Sequence, residues 1–282
     1  MKINIQKFDQ GNFASVIILG IGTVIGCFVG GILLMLSGIG IPLAIFFMTI
    51  GLFVAPLWAL FRGRAGQKSA LKRIQGDLGV ELLSDTHELT RKVQSLASGA
   101  GLPPVKFVGW YKSDDINAFA SGLKRDNAMV CFTTGALEKL EKQEVDAVVA
   151  HELGHIANGD MKRMSYARNV QNSLSWIFIF GKLKYWARWV LTTLSEMWVL
   201  KLSRTREFHA DAFAAVLTSP EAMISALQKI EADKVQPPQA HAEYANLMMR
   251  GNPANVFSTH PTISARVQAL KSEQYIRKIP IK

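Results

Sequence analysis

The 282-residue chain is predicted to be α+β: a mainly helical domain with a small β-sheet, preceded by a two-helix transmembrane hairpin. Three observations predict this. Residues 11–61 contain no charged side chain. Residues 105–133 hold three short runs that alternate or are rich in β-branched and aromatic residues. From Glu144 to Asp160, EVDAVVAHELGHIANGD, apolar residues recur at helical spacing (Val145, Val148, Val149, Ile156) and Gly159 supplies a stop.

Composition bounds the rest. A hydrophobic fraction of 49% and a mean hydropathy of +0.15 point to a membrane protein rather than a soluble enzyme. The net charge is +10, but the basic residues are spread out with no dense cluster. No nucleic-acid partner is therefore expected; attraction to an anionic inner leaflet explains the charge better. The two cysteines, Cys27 and Cys131, suggest neither a disulfide framework nor a thiolate metal site.

In chain order, the charge-free stretch divides at Ser37-Gly38-Ile39-Gly40-Ile41-Pro42 into spans of about Phe13 to Leu36 and Leu43 to Phe61. Each is near the roughly 20 residues a bilayer requires. The first is too long for the apolar core of a signal peptide, and a second span follows without a cleavage-like site, so residues 1–63 read as an uncleaved anchor. Lys2 and Lys7 precede it, Arg62, Arg64, Lys68, Lys72 and Arg73 follow it, and the connecting loop is uncharged. Both ends are therefore expected on the cytoplasmic side, with residues 64–282 as a cytoplasmic domain. Gly22, Gly26 and Gly30 give the first span a small-residue face for close helix approach.

Residues 71–96 read as a helix, broken by Gly99-Ala100-Gly101-Leu102-Pro103-Pro104. Strands are expected at Val105 to Trp110, Ile116 to Ala120 and Met129 to Thr133, before the helix at 144–160. Residues 169–202 begin uncharged but too short to span, and Lys182, Lys184 and Arg188 then interrupt them. With Trp176, Tyr185, Trp186, Trp189 and Trp198 they suit a helical insert on, or dipping into, the membrane surface, or else a buried helical hairpin. Ser203 to Leu217 is helical; Ser219-Pro220-Glu221 caps the next helix; Gln236 to Asn255 is a polar loop with a short helix; Ile263 to Leu270 is the last helix.

The chemistry centres on His151, Glu152 and His155, an H-E-x-x-H pattern. A four-residue step is a little over one turn, so both imidazoles lie on one side and can grip one divalent cation. Glu152 falls on the apolar stripe, where an uncompensated carboxylate is costly. A catalytic zinc site takes three protein ligands and leaves a place for water. The extended metzincin pattern needs Gly at 158 and His at 161, but Asn158 and Met161 stand there, so the third ligand must come from another helix. Glu207 and Asp211, at i and i+4, share a face: Glu207 suits a ligand, and Asp211 can hold an imidazole N–H from behind. His209, half a turn away, is the rival ligand, and a solvated charged face with Arg204 and Arg206 is the alternative for the two acids. Glu152 can act as general base. His260 is either a plain loop histidine before a proline or a second stabiliser of an oxyanion.

HELGHIANGD, SRTREFHAD, NAFASG at 117–122 and STHPTISAR at 258–266 together make the chain resemble HtpX-type membrane-bound zinc metalloproteases, relatives of the CaaX prenyl protease. The resemblance covers nearly the whole chain. It implies a zincin-like metalloprotease fold of the gluzincin type and one Zn²⁺ per chain. It also implies His151, His155 and Glu207 as ligands, Glu152 as base and Asp211 orienting His151. Asn117 and Ala118 would pair with substrate backbone, and His260 and Arg266 would help near the oxyanion. It implies quality-control cleavage of misfolded membrane proteins at a bacterial inner membrane. Family members carry two more hydrophobic segments between the metal motifs, where this chain has the charged stretch 169–202. Two rivals are an intramembrane site-two-type protease and a non-catalytic zinc scaffold. Lys139, Glu141, Lys142, Glu144, Asp146, Asp160, Lys162 and Arg163 keep this helix out of lipid, and a closed structural site would need a fourth ligand.

Overall fold

The structure is a computed structural model that describes residues 3–8, 67–122, 124–162, 201, 203–235, 249 and 260–281. The chain separates into two compact units, Met1–Gly11 with Lys68–Met161 and Ser203–Lys282, and Asn12–Gln67 with Lys162–Leu202. Nearly all described residues belong to the first. The expected spans at 13–36 and 43–61, the insert at 169–202 and almost all of the loop at 236–255 lie outside the described residues. Among the described residues, no helix is long and apolar enough to cross a membrane.

Helix α1 (Gln67–Leu78) ends at Gly79, whose φ of 63° stops it. Strand β1 (Glu81–Leu82) follows, then α2 (Glu88–Ala100), capped by His87 and closed by Gly101. The single helix expected over 71–96 is thus two helices around a strand. Its apolar spacing runs on past Gly79, but the left-handed glycine breaks the path. Strands β2 (Phe107–Tyr111), β3 (Ala118–Ser121) and β4 (Met129–Thr133) match the expected runs within two residues at each end. The sheet order is β1-β2-β4-β3, with β2 parallel to β4 and both outer strands antiparallel to their neighbours.

Alternation puts Ala118, Ala120, Val130 and Phe132 on the face toward the main core, while Phe119, Met129, Cys131 and Tyr111 pack with Leu71, Ile74 and Leu78 of α1. Both faces are buried. Helix α3 (Thr134–Lys139) leads into α4 (Lys142–Asn158), the H-E-x-x-H helix. A capping box of Glu141 and Glu144 starts α4, and Gly159 (φ 67°) ends it. Helix α5 (residues 203–217), α6 (Pro220–Ala232, capped by Ser219) and α7 (Ile263–Lys271, capped by Thr262) complete the expected set. α4 packs against α2, α6 and β3, so the metal motif lies beside an edge strand.

Candidate metal centre

Two helices build the centre. Along α4, residues 147–158 are all buried, which places His151, Glu152 and His155 inside the protein. Helix α5 crosses at Gly154, which lies against Ala210 and Phe213. A glycine in mid-helix costs helical stability; here it lets two backbones approach, and that approach delivers Glu207 to the imidazoles.

The Nε2 atoms of His151 and His155 are 3.1 Å apart. Glu207 places Oε2 3.6 Å from His151 Nε2 and Oε1 3.7 Å from His155 Nε2. Tetrahedral ligands about 2.0–2.1 Å from an ion stand about 3.3–3.4 Å from one another, so this spacing fits one cation. The donor set agrees. His151 Nδ1 is 3.0 Å from Asp211 Oδ1, and His155 Nδ1 is 2.7 Å from Asp160 Oδ2. Carboxylates can only accept, so each ring carries its proton on Nδ1 and, when neutral, aims an Nε2 lone pair at its neighbour. Both Glu207 oxygens are buried without a hydrogen-bond partner among the described residues, with Arg206 Nε 3.3 Å from Oε1 and an Arg266 terminal nitrogen 3.7 Å from Oε2. Three converging lone-pair donors suit a positive charge between them. Burial disfavours a charged His151, but Asp211 and Glu207 outweigh it and raise the group to about 9.

The other expected residues fall around this point. Glu152 is 1% exposed, and its Oε2 has no hydrogen-bond partner among the described residues. Burial pushes its carboxyl above the ordinary range, although His151 and His155 pull the other way. That suits a group that takes and returns protons. Burial would also raise Glu207, yet the charges of His260 and His155 hold it well below its usual value. His260 Nδ1 is 3.3 Å from Glu207 Oε1, and burial lowers its pKa.

His209 does not join the site. Its ring meets Phe8 and Tyr275 edge-on, at centroid distances of 6.1 and 5.2 Å.

Arg266 is bound to Asp211. Its Nε and one terminal nitrogen donate to the two oxygens of Asp211 at 2.8 and 2.6 Å, and the other terminal nitrogen reaches the Met249 carbonyl at 3.4 Å and stands 3.7 Å from Glu207 Oε2. The guanidinium therefore braces the His151–Asp211 pair at the side of Glu207. Asp211, which burial would raise, is lowered by this guanidinium. The sequence has no local signal for this pairing, because Asp211 and Arg266 are 55 residues apart.

Asn117 is turned inward as well. Its Nδ2 donates to Asp115 Oδ2 at 3.1 Å, its Oδ1 accepts from Ala118 N–H at 3.1 Å, and its carbonyl accepts from Thr133 N–H in β4. Antiparallel alternation then points the backbone groups of Ala118 and Ala120 away from β4, to the outer edge of β3, where no further strand pairs among the described residues. The Ala118 carbonyl already accepts from Met249 N–H at 3.0 Å.

Asp160 is the residue that sequence reasoning missed at this site. Five positions past a helical histidine is not a contact spacing, and only the stop at Gly159 brings it back.

A family model described as Peptidase family M48 matches residues 83–274. Protease HtpX of Glaesserella parasuis serovar 5 (strain SH0165) is 32% identical over 302 aligned positions, covering 96% of this chain and 99% of that protein. Protease HtpX of Cellvibrio japonicus (strain Ueda107) is 32% identical over 286 positions, covering 88% and 94%. Among solved structures, Ste24p of S. mikatae superposes with a TM-score of 0.56 at 19% identity, over 85% of this chain and 64% of that one, which is a likeness of fold.

Proposed function

The chain belongs to peptidase family M48 as an HtpX-type metallopeptidase, and on that premise we propose that it is a membrane-anchored zinc endopeptidase acting on misfolded or damaged membrane proteins. The observation that carries this reading is the convergence of His151 Nε2, His155 Nε2 and the Glu207 carboxylate, with the buried carboxyl of Glu152 beside them. His151, His155 and Glu207 would hold one Zn²⁺ per chain. When bound, the ion would supply Lewis acidity toward a water and a peptide carbonyl.

The chain's own residues do the rest. Glu152, its pKa raised by burial, takes a proton from the attacking water and returns it to the leaving amine. Asp211 and Arg266 hold His151 in one tautomer. His260, whose proximity to Glu207 supports the reading, would donate to developing negative charge on the carbonyl oxygen. An extended substrate would add to the outer edge of β3 through Ala120, and through Ala118 in competition with the Asn117 side chain and Met249. Backbone pairing reads little of the sequence, which suits a protease of unfolded chains.

The uncharged residues 11–61 support an anchor of two spans, and the flanking lysines and arginines support a cytoplasmic catalytic domain at a bacterial inner membrane. The test is hydrolysis of casein by the full chain purified in detergent. Wild type should cleave and Glu152→Gln should not while still holding zinc; equal cleavage by both would reject the mechanism. A wild-type chain that holds zinc but cleaves nothing would leave the zinc-scaffold reading standing.

A further inference from the structure

The last turn of α4 is arranged around Asp160. On an uninterrupted helix, residue 160 would lie about 140° around the axis from His155, beyond reach of its ring. Gly159 adopts φ 67° and ψ 29°, which ends the helix and returns the chain onto its own last turn. A new helical turn opens at residue 160, with the acid beneath the imidazole. Asp160 Oδ2 is 2.7 Å from His155 Nδ1, and Asn158 Nδ2 donates to Oδ1 at 2.5 Å. The carboxylate is 3% exposed. From the loop after β3, Arg125 donates to the Ala157 carbonyl at 2.6 Å and pins the same turn.

We propose that Asp160 is the positioning residue of His155: it holds the Nδ1–H tautomer and fixes the ring with Nε2 turned toward His151 and Glu207. This rests on the metalloprotease reading and deepens it. The two rings are held unequally. Asp211 faces His151 but is bound through both oxygens by the Arg266 guanidinium, which draws off its negative charge. Among the described residues, Asp160 also accepts from the neutral amide of Asn158, at an oxygen other than the one facing His155. A carboxylate on Nδ1–H keeps the proton there and leaves the Nε2 lone pair for the ligand position. The paired acids therefore do different work: Asp211 links the two ligand helices and Arg266, and Asp160 fixes the ring of one ligand against the end of its own helix.

The test uses the full chain in detergent, with zinc affinity measured by chelator competition and the visible spectrum of the Co²⁺-substituted protein. Asp160→Ala should weaken zinc binding by about 10–100-fold and shift the cobalt bands. Asp160→Asn, whose carbonyl still accepts the N–H but carries no charge, should fall between that variant and wild type. Wild-type affinity with a superimposable cobalt spectrum in Asp160→Ala would overturn the proposal and leave Asp160 as a helix stop. If Asp160→Ala does not fold, Asp160→Asn decides by the same two readings. A wild-type chain unable to hold zinc would defeat the metalloprotease reading itself; a loaded wild type beside an unaffected variant defeats only the positioning role.

Discussion

Gly154 and Ala210 mark the point where the two ligand-bearing helices touch: a Cβ on Gly154 would stand 3.0 Å from Ala210 Cα and 3.3 Å from the Ala210 carbonyl oxygen. Both neighbours are backbone, so α5 must move to make room. Gly154→Ala gains about 1 kcal/mol of helix propensity but forces a close-packed crossing apart, a change that costs about 1–3 kcal/mol. The variant should unfold at lower temperature and bind zinc more weakly, because Glu207 rides on the displaced helix. Thermal unfolding with and without zinc checks both effects.

Glu207→Ala should lose the metal, whereas His209→Ala should keep it. Glu207 offers carboxylate oxygens to both imidazoles; His209 packs between Phe8 and Tyr275. Zinc per chain after desalting separates the two, and full metal content in Glu207→Ala would transfer the ligand role elsewhere.

Arg266→Ala strips a buried cation from Asp211 and leaves that carboxylate uncompensated. Breaking one side of such a pair costs about 3–5 kcal/mol. Arg266→Lys should recover only part of this, because an ammonium cannot bond both carboxylate oxygens as the guanidinium does. Denaturant midpoints order the series wild type, Lys, Ala; equal midpoints for Lys and Ala would remove the two-bond contact from the explanation.

Glu144 ties the start of α4 to α6. Burial pushes its carboxyl up, but Lys229 at 2.7 Å, Ser225 at 2.6 Å and the Glu141 N–H at 2.7 Å hold it below its ordinary value. A depressed folded pKa contributes stability that is present above the unfolded-state pKa of about 4.3 and lost as pH falls through the lower folded value. Wild type should therefore exceed Glu144→Gln in stability at pH 7, by about 1.5–3 kcal/mol for hydrogen bonds to a charged group. The gap should narrow as pH falls below the unfolded-state value and close once the carboxyl is protonated in the folded protein. A gap that does not change with pH would assign the effect to packing.

Much of this was legible in the sequence, and the gaps have physical causes. The H-E-x-x-H spacing, the i, i+4 acids on α5 and the caps at Ser219 and Gly159 are local codes, so the helices and the three side chains that converge could be read directly. The split of 71–96 into α1, β1 and α2 was hidden because Gly79 resembles any tolerated helical glycine until its φ is known. Arg266 on Asp211 and Met249 on Ala118 were hidden because they join distant segments. Asp160 was missed because its contact depends on a chain reversal that spacing rules do not describe.

The most direct test of the centre is to strip and restore the metal in the full chain while following casein cleavage. Activity should fall to background on chelation and return in proportion to zinc, reaching a plateau at one ion per chain. Full cleavage by protein from which zinc has been removed would contradict the assignment of His151, His155 and Glu207 as the ligands of a catalytic ion.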